Sequence, residues 1–237
     1  MDRYLYFNGH SSEEYGAHIE YKPNIPTPAA KLQEYVVPGR SGKLHADLGY
    51  YDDITVTYQL YFHGKRPTAE ELRPIKDWLC ASPGPHDLAD GYDPGYFYRA
   101  TATMSNTANI LDRYGRFQAQ FSCDPRHFAV AGQQPQNLTS GQKLFNPYAQ
   151  TAKPLWEITG NGQDGTLKVN DYTFKLTTSS EQHAFLECET EDAYLADGTN
   201  INPTTSGPYP TLQPGENTVS WSGGITGVIV TPRWWTL

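Results

Sequence analysis

The stretch Ile54–Phe62, ITVTYQLYF, sets Ile54, Val56, Tyr58, Leu60 and Phe62 alternately against Thr55, Thr57, Gln59 and Tyr61. That period of two is the one with which a strand turns one face to a core and the other to water. The segments GYFYRATATM (95–104) and GRFQAQFSCDP (115–125) read as two more strands, with Asp124-Pro125 closing the block. The whole chain of 237 residues carries 17 Tyr, 21 Gly and 18 Pro, so short strands joined by tight turns are expected throughout. The fold class expected is mainly β.

Between the strands, RPTAEELRPIKDWLC (66–80) predicts one short helix. Thr68 and Glu71 have capping-box spacing, and Leu72, Ile75 and Leu79 share a helical face with Trp78 beside them. Pro74 lacks an amide proton, which in a helix interior costs about 3 kcal/mol. The helix therefore starts either near Thr68 or at Arg73 with Pro74 in its first position.

Upstream, VVPGRSGKLH (36–45) brings glycines beside a lysine, but it is not a phosphate-binding loop. Counting back from Gly42-Lys43 puts Val37 where the first glycine belongs, Leu44 replaces the hydroxyl residue, and a strand follows where a helix should open. Pro38, Gly39 and Gly42 are read as ending one strand and re-aiming the next.

Residues 131–153, AGQQPQNLTSGQKLFNPYAQTAK, are rich in Gln, Asn, Gly, Pro and Ser and lack sustained periodicity. They divide the chain into an N-terminal domain (1–131), a linker (132–153) and a C-terminal domain (154–237). The last reads as a β-sandwich: PLWEITG, a turn at NGQDG, TLKV and YTFKL hinged on Asn170-Asp171, then HAFLECET, NTVSWSG and GVIVTPRWW.

Several chemistries are excluded. The formal net charge is -8 and no cluster of Lys and Arg appears, so no sequence-specific grip on nucleic acid is expected. Cys80, Cys123 and Cys188 form neither a CxxC pair nor a disulfide framework. No signal core opens the chain and no run approaches the ~18 apolar residues of a membrane span, so synthesis in a reducing cytoplasm is expected. The Asn137-Leu-Thr sequon then reads as a loop tripeptide. No GxSxG or HExxH occurs and the seven histidines are scattered, so no catalysis, metal or cofactor is expected. Asp87, Asp90 and Asp93 share a loop without the alternate-residue ligands of an EF-hand and read as a solvated turn. Trp234 and Trp235 offer rings that stack on a sugar, although adjacent strand residues face opposite ways.

VVPGRSGKLHADLGYYDD, then a strand, LRPIKDWL and FSCDPRHF follow one another in the order of the N-terminal domain of distal tail proteins of long, non-contractile-tailed phages, which this half resembles. KPLWEITGNG, LECETEDAYLADGTNIN, GPYPTLQPGENTVSWSG and VTPRW resemble the C-terminal domain of that family. The resemblance implies an adaptor without catalysis, found at the tip of the virion tail. N-terminal domains would close a hexameric ring with a channel for DNA, and galectin-like β-sandwiches would surround it. Its partners would be the tail tube protein, the tail-tip or receptor-binding proteins and the tape-measure protein. Some members carry an inserted carbohydrate-binding module, for which this chain has no room. In such a ring Arg40 and Lys43 are expected at a subunit contact, facing carboxylates such as Asp52 and Asp53. The reading from another class is a carbohydrate-binding module for host wall sugar, using Trp234 and Trp235.

Overall fold

The computed structural model describes residues 3–62, 69–80, 83–103 and 115–237. It divides into two compact units, Met1–His127 with Leu237, and Phe128–Thr236. The chain is mainly β.

The first unit contains β1 (Leu5–Phe7), β2 (His10–Ser11), β3 (Ala17–Ile19), β4 (Ala30–Tyr35), β5 (Leu44–Tyr51), β6 (Ile54–Phe62), α1 (Ala69–Cys80), β7 (His86–Asp90), β8 (Tyr96–Thr103) and β9 (Arg116–Cys123). Its main sheet runs in the order β2-β1-β7-β8-β9-β6-β3. The centre is the β6–β9 pair, in antiparallel register from Ile54 opposite Cys123 to Tyr61 opposite Arg116. Along β6 the alternation of apolar and polar residues becomes alternation of burial: Val56 and Leu60 are fully enclosed, while Thr55 and Thr57 reach the other face.

Helix α1 contributes Ile75, Trp78 and Leu79 to the same core as Phe7, Leu60 and Phe121. The Trp78 indole donates to the Phe7 carbonyl at 2.9 Å, and the Tyr15 ring stacks on it with centroids 4.9 Å apart. Pro74 lies inside the helix, so the start at Arg73 does not occur. Burial of three large apolar side chains on the following turns outweighs the one backbone bond that Pro74 forgoes. Thr68 lies outside the described residues, as do the side chains of Glu71 and Leu72.

The expected solvated aspartate turn does not form: Asp87 and Asp90 belong to β7, and Asp90 anchors the turn that follows. Asp90 is buried, accepts a 2.8 Å bond from the Tyr58 hydroxyl, and takes the amides of Tyr92 and Asp93 at 2.8 and 3.2 Å. The Tyr58 phenol is pushed well above its ordinary pKa by burial and then by the Asp90 charge. No group of three metal-ligating side chains occurs among the described residues.

Nearby, the His127 ring stacks on Tyr98 at 4.2 Å and lies 4.9 Å from Tyr96. Burial lowers its pKa from 6.5, against the opposing pull of Asp93 and Asp90. Because the folded value lies below the unfolded one, unfolded chains take up the proton first. The contribution is therefore full above 6.5 and shrinks as pH falls through that value. His127→Phe keeps the stack without the titration, so its melting temperature is expected to fall less than wild type between about pH 7.5 and 5.5. Equal falls in scanning calorimetry would refute this.

The second unit follows β10 (His127–Ala129) and contains β11 (Gln136–Leu138), β12 (Gln142–Asn146), β13 (Leu155–Val169), β14 (Tyr172–Thr177), β15 (Ala184–Glu187), β16 (Asp192–Leu195), β17 (Thr205–Ser206), β18 (Gly215–Thr231) and β19 (Trp235–Thr236). Two strands thus lie inside 132–153, so that stretch is not a linker. Both β11 and β12 pair with β18. Strands of three and five residues are too short to display a period, which is why composition misread them.

Two long strands organise this unit. β13 and β18 pair from Leu155 opposite Thr231 to Val169 opposite Val219, with register shifts on either side of Gly160. Residues 161–165, expected as a turn, are instead an irregular stretch within β13. Beyond it the pairing partners change. The first part of β13 meets β15, itself paired with β16, and the later part meets β14, which pairs with β17. β11 flanks one end of β18 and β12 the other. The result is two five-stranded leaves that share β13 and β18, bent between them.

Each leaf buries one face, Trp156, Leu186 and Val230 in the first and Leu167, Phe174 and Val219 in the second. The bend needs glycine. A Cβ on Gly160 would sit 2.2 Å from the Thr178 Cβ, and one on Gly224 would sit 2.1 Å from the Gln163 carbonyl oxygen. At the β13–β14 turn, Val169 pairs with Tyr172 across Asn170-Asp171, and Asn170 adopts the left-handed conformation with φ of 50°.

Candidate assembly surface

The segment that resisted a phosphate-loop reading caps a β-hairpin outside both larger sheets. Among the described residues β4 and β5 pair only with each other, Tyr35 opposite Leu44 and Gln33 opposite Ala46, with a register shift between Ala30 and Leu32. Gly39 and Gly42 at the tip have φ of 81° and 83°, the region where other residues are strained. The Arg40 amide donates to the Val37 carbonyl at 3.2 Å and closes the turn.

Strand alternation gives the hairpin two unlike faces. Gln33, Tyr35, Leu44, Ala46, Leu48 and Tyr50 project from one, and Leu32, Glu34, Lys43, His45 and Asp47 from the other. The second face is bound by charge: Lys43 pairs with Glu34, and the His45 ring lies 3.8 Å from the same carboxylate. The first face is mostly apolar, and among the described residues nothing covers it. Tyr35, Leu44, Leu48 and Tyr50 are 52%, 44%, 45% and 52% exposed, and Val36 at the tip is 78% exposed. An isolated two-stranded hairpin is marginal in water, which makes an exposed apolar face of this kind a candidate contact surface.

The predicted site residues divide between the two ends of the hairpin. Arg40 and Lys43 lie at its tip. Asp52 lies at its base, where it pairs with Lys31 at 3.0 Å, and Asp53 accepts a 3.4 Å bond from Ser122. Eight residues of extended strand, roughly 25 Å, lie between. Within one chain, neither Arg40 nor Lys43 meets Asp52 or Asp53. The residues that sequence reasoning passed over are Tyr35, Leu44, Leu48 and Tyr50. Their signal was the alternation within LHADLGYY, hidden because it stood beside a turn that drew attention to its glycines.

Elsewhere, Trp234 is 6% exposed and offers no open ring, while Trp235 is half-buried and donates to the Thr151 carbonyl at 3.0 Å. Burial raises the thiols of Cys123 and Cys188 to about 12, so neither is a nucleophile near neutral pH. No helix among the described residues is long and apolar enough to cross a membrane.

No protein-family model matches the sequence, and no curated protein sequence does. Solved structures do. The fold resembles the crystal structure of the Dit (gp 19.1) protein of phage SPP1, a paradigm of the hub adsorption apparatus in phages infecting Gram-positive bacteria. The TM-score is 0.69 at 12% identity, covering 99% of each chain. It also resembles a chain of the phage p2 baseplate in its activated conformation with strontium, with a TM-score of 0.51 at 6% identity over 95% of this chain and 97% of that one. The calcium form of that baseplate gives a TM-score of 0.51 at 6% identity over 97% of both chains. What these likenesses establish is the fold of a phage distal tail, or hub, protein over nearly the full chain.

Proposed function

We propose that the protein is a structural component of a phage tail, a hub adaptor without catalytic activity, and that its copies close into a hexameric ring. The carrying observation is the uncovered apolar face of the β4–β5 hairpin, on a chain whose whole length follows the fold of a hub protein. A stable contact of this type buries more than ~1,000 Å², which a projecting two-faced hairpin can supply when it lies along a neighbour. Such a ring would sit at the distal end of the tail tube, join the tube protein to the tail-tip or receptor-binding proteins near the end of the tape-measure protein, and leave a channel for DNA. A net charge of -8 without a basic cluster suits a wall past which DNA slides unheld. In this reading the second unit is a galectin-like β-sandwich, with Trp156 and Trp234 serving its packing.

Native mass decides the matter. Light scattering after size exclusion, with negative-stain images of the same peak, is expected to show six times the 26.5 kDa chain mass and a central hole. A chain that stays monomeric up to its solubility limit would sink the ring reading.

A further inference from the structure

Away from the hairpin, at the end of the first unit's sheet where β3 is the last strand, an open cleft of about 290 Å³ is lined by Arg3, Glu20, Tyr61 and Arg116. Its walls are fixed by backbone pairing. The Arg3 carbonyl accepts the Ile19 amide at 2.7 Å, which holds Arg3 against the free side of β3, and the Glu20 amide donates to the Gln59 carbonyl at 2.9 Å. Tyr61 stands opposite both His18 and Arg116 in the register of β3, β6 and β9.

Two guanidinium groups and one carboxylate thus line the cleft. Arg116 holds Glu20 at 2.6 Å, and among the described residues Arg3 has no carboxylate of its own. The cleft keeps one positive charge in excess, in a chain where 26 acidic residues outnumber 18 basic ones. Guanidinium groups bind oxyanions through paired N–H donors, and a phenol beside them adds a further donor.

We infer that this cleft receives the carboxylate of an Asp or Glu side chain from a second copy of the chain, held between Arg3 and Arg116. This rests on the ring reading, because a closed ring uses heterologous contacts in which each copy presents two different surfaces. The hairpin supplies one surface and the cleft lies on another. An acidic chain meeting itself brings carboxylates far more often than any other anion. Nucleic acid is disfavoured as the occupant, since two arginines without a wider basic surface neutralise too few phosphates.

Two measurements on the full chain test this. In the first, the Arg Nε–Hε NMR signals of a Leu44→Asp/Leu48→Asp double variant, expected to be monomeric, are followed during titration with a triglutamate peptide and, separately, with inorganic phosphate. The peptide is expected to shift Arg3 and Arg116 together and to do so at lower concentration than phosphate. In the second, sedimentation velocity compares self-association of wild type with Arg3→Glu, a change at an exposed position that leaves the fold intact. Assembly of Arg3→Glu is expected to weaken at least ten-fold. No peptide-induced shift, phosphate binding as readily as the peptide, or unchanged assembly of Arg3→Glu each overturns the cleft assignment alone. A wild-type chain that never self-associates overturns the second-copy assignment and the ring reading together.

Discussion

Leu44→Asp combined with Leu48→Asp is expected to leave a folded chain that no longer assembles. Both side chains are nearly half exposed in the single chain, at 44% and 45%, so a carboxylate at either position meets water and costs the fold little. In an assembly that covers this face the same two carboxylates would be stripped of water with no cation opposite them. An unpaired buried charge costs several kcal/mol, and a loss of about 4 kcal/mol corresponds to roughly a thousand-fold weaker association. Sedimentation velocity over a concentration series reads the loss, and circular dichroism checks that the monomer keeps its strands. The companion change Glu34→Gln, on the charged face, is expected to alter assembly by less than ~1 kcal/mol, because an exposed ion pair contributes little. If the double aspartate variant assembles like wild type, the apolar face is not an interface.

That contrast between faces also shows what the sequence could reveal. Ile54–Phe62 was legible because nine residues give several full periods, and its buried side is the side the alternation names. Ile75 and Leu79 were legible for the same reason at helical spacing, with Pro74 misleading only about where the helix begins. The β11 and β12 strands were not legible, because their pairing with β18 depends on residues about seventy to ninety positions away and their own few residues carry no period. The long strand β13 was divided by its glycines, which in a local reading mean a turn and in the fold mean a bend with close backbone approach. The candidate interface was half legible. Arg40, Lys43, Asp52 and Asp53 lie at the two ends of this hairpin, while nothing in the charge pattern singled out the apolar side chains between them. The Arg3–Arg116 cleft was invisible, since its residues come from four separate segments.

Trp156→Ala is expected to be the most damaging single substitution in the second unit. The side chain is fully enclosed, stands opposite Leu186 and Val230 on the two neighbouring strands, and donates from its indole nitrogen to the Pro210 carbonyl at 3.0 Å. Truncation of a buried tryptophan costs about 3–5 kcal/mol through lost burial and the cavity left behind. The Pro210 carbonyl would also lose this donor, keeping only the weaker contact from the Cys188 thiol at 3.3 Å. Against a typical total stability of ~5–15 kcal/mol, this is a large share of what keeps the second unit folded. Calorimetry is expected to resolve a low-temperature transition for the variant where wild type shows none. Trp156→Phe, which keeps most of the volume and loses the indole donor, should fall between the two. A measured loss below about 1 kcal/mol for the alanine variant would contradict the burial seen for this ring.

The bent pair β13 and β18 also sets an order of events during synthesis. β13 is made early in the second unit, but Leu155 must wait for Thr231, some seventy-five residues further on. While the ribosome works through the intervening segment, both leaves lack their central strand and expose the apolar faces they will later bury. Pairings so distant in sequence close slowly, on a scale of milliseconds to seconds, and only after the last strand has emerged. The second unit thus cannot close its seam until β18 has been made, whereas the β1–β9 segments of the first have all been made before β10 begins. Loss of the last residues of β18 would open the first leaf, where they hold β11 and β13, and loss of the whole strand would remove the seam of both leaves.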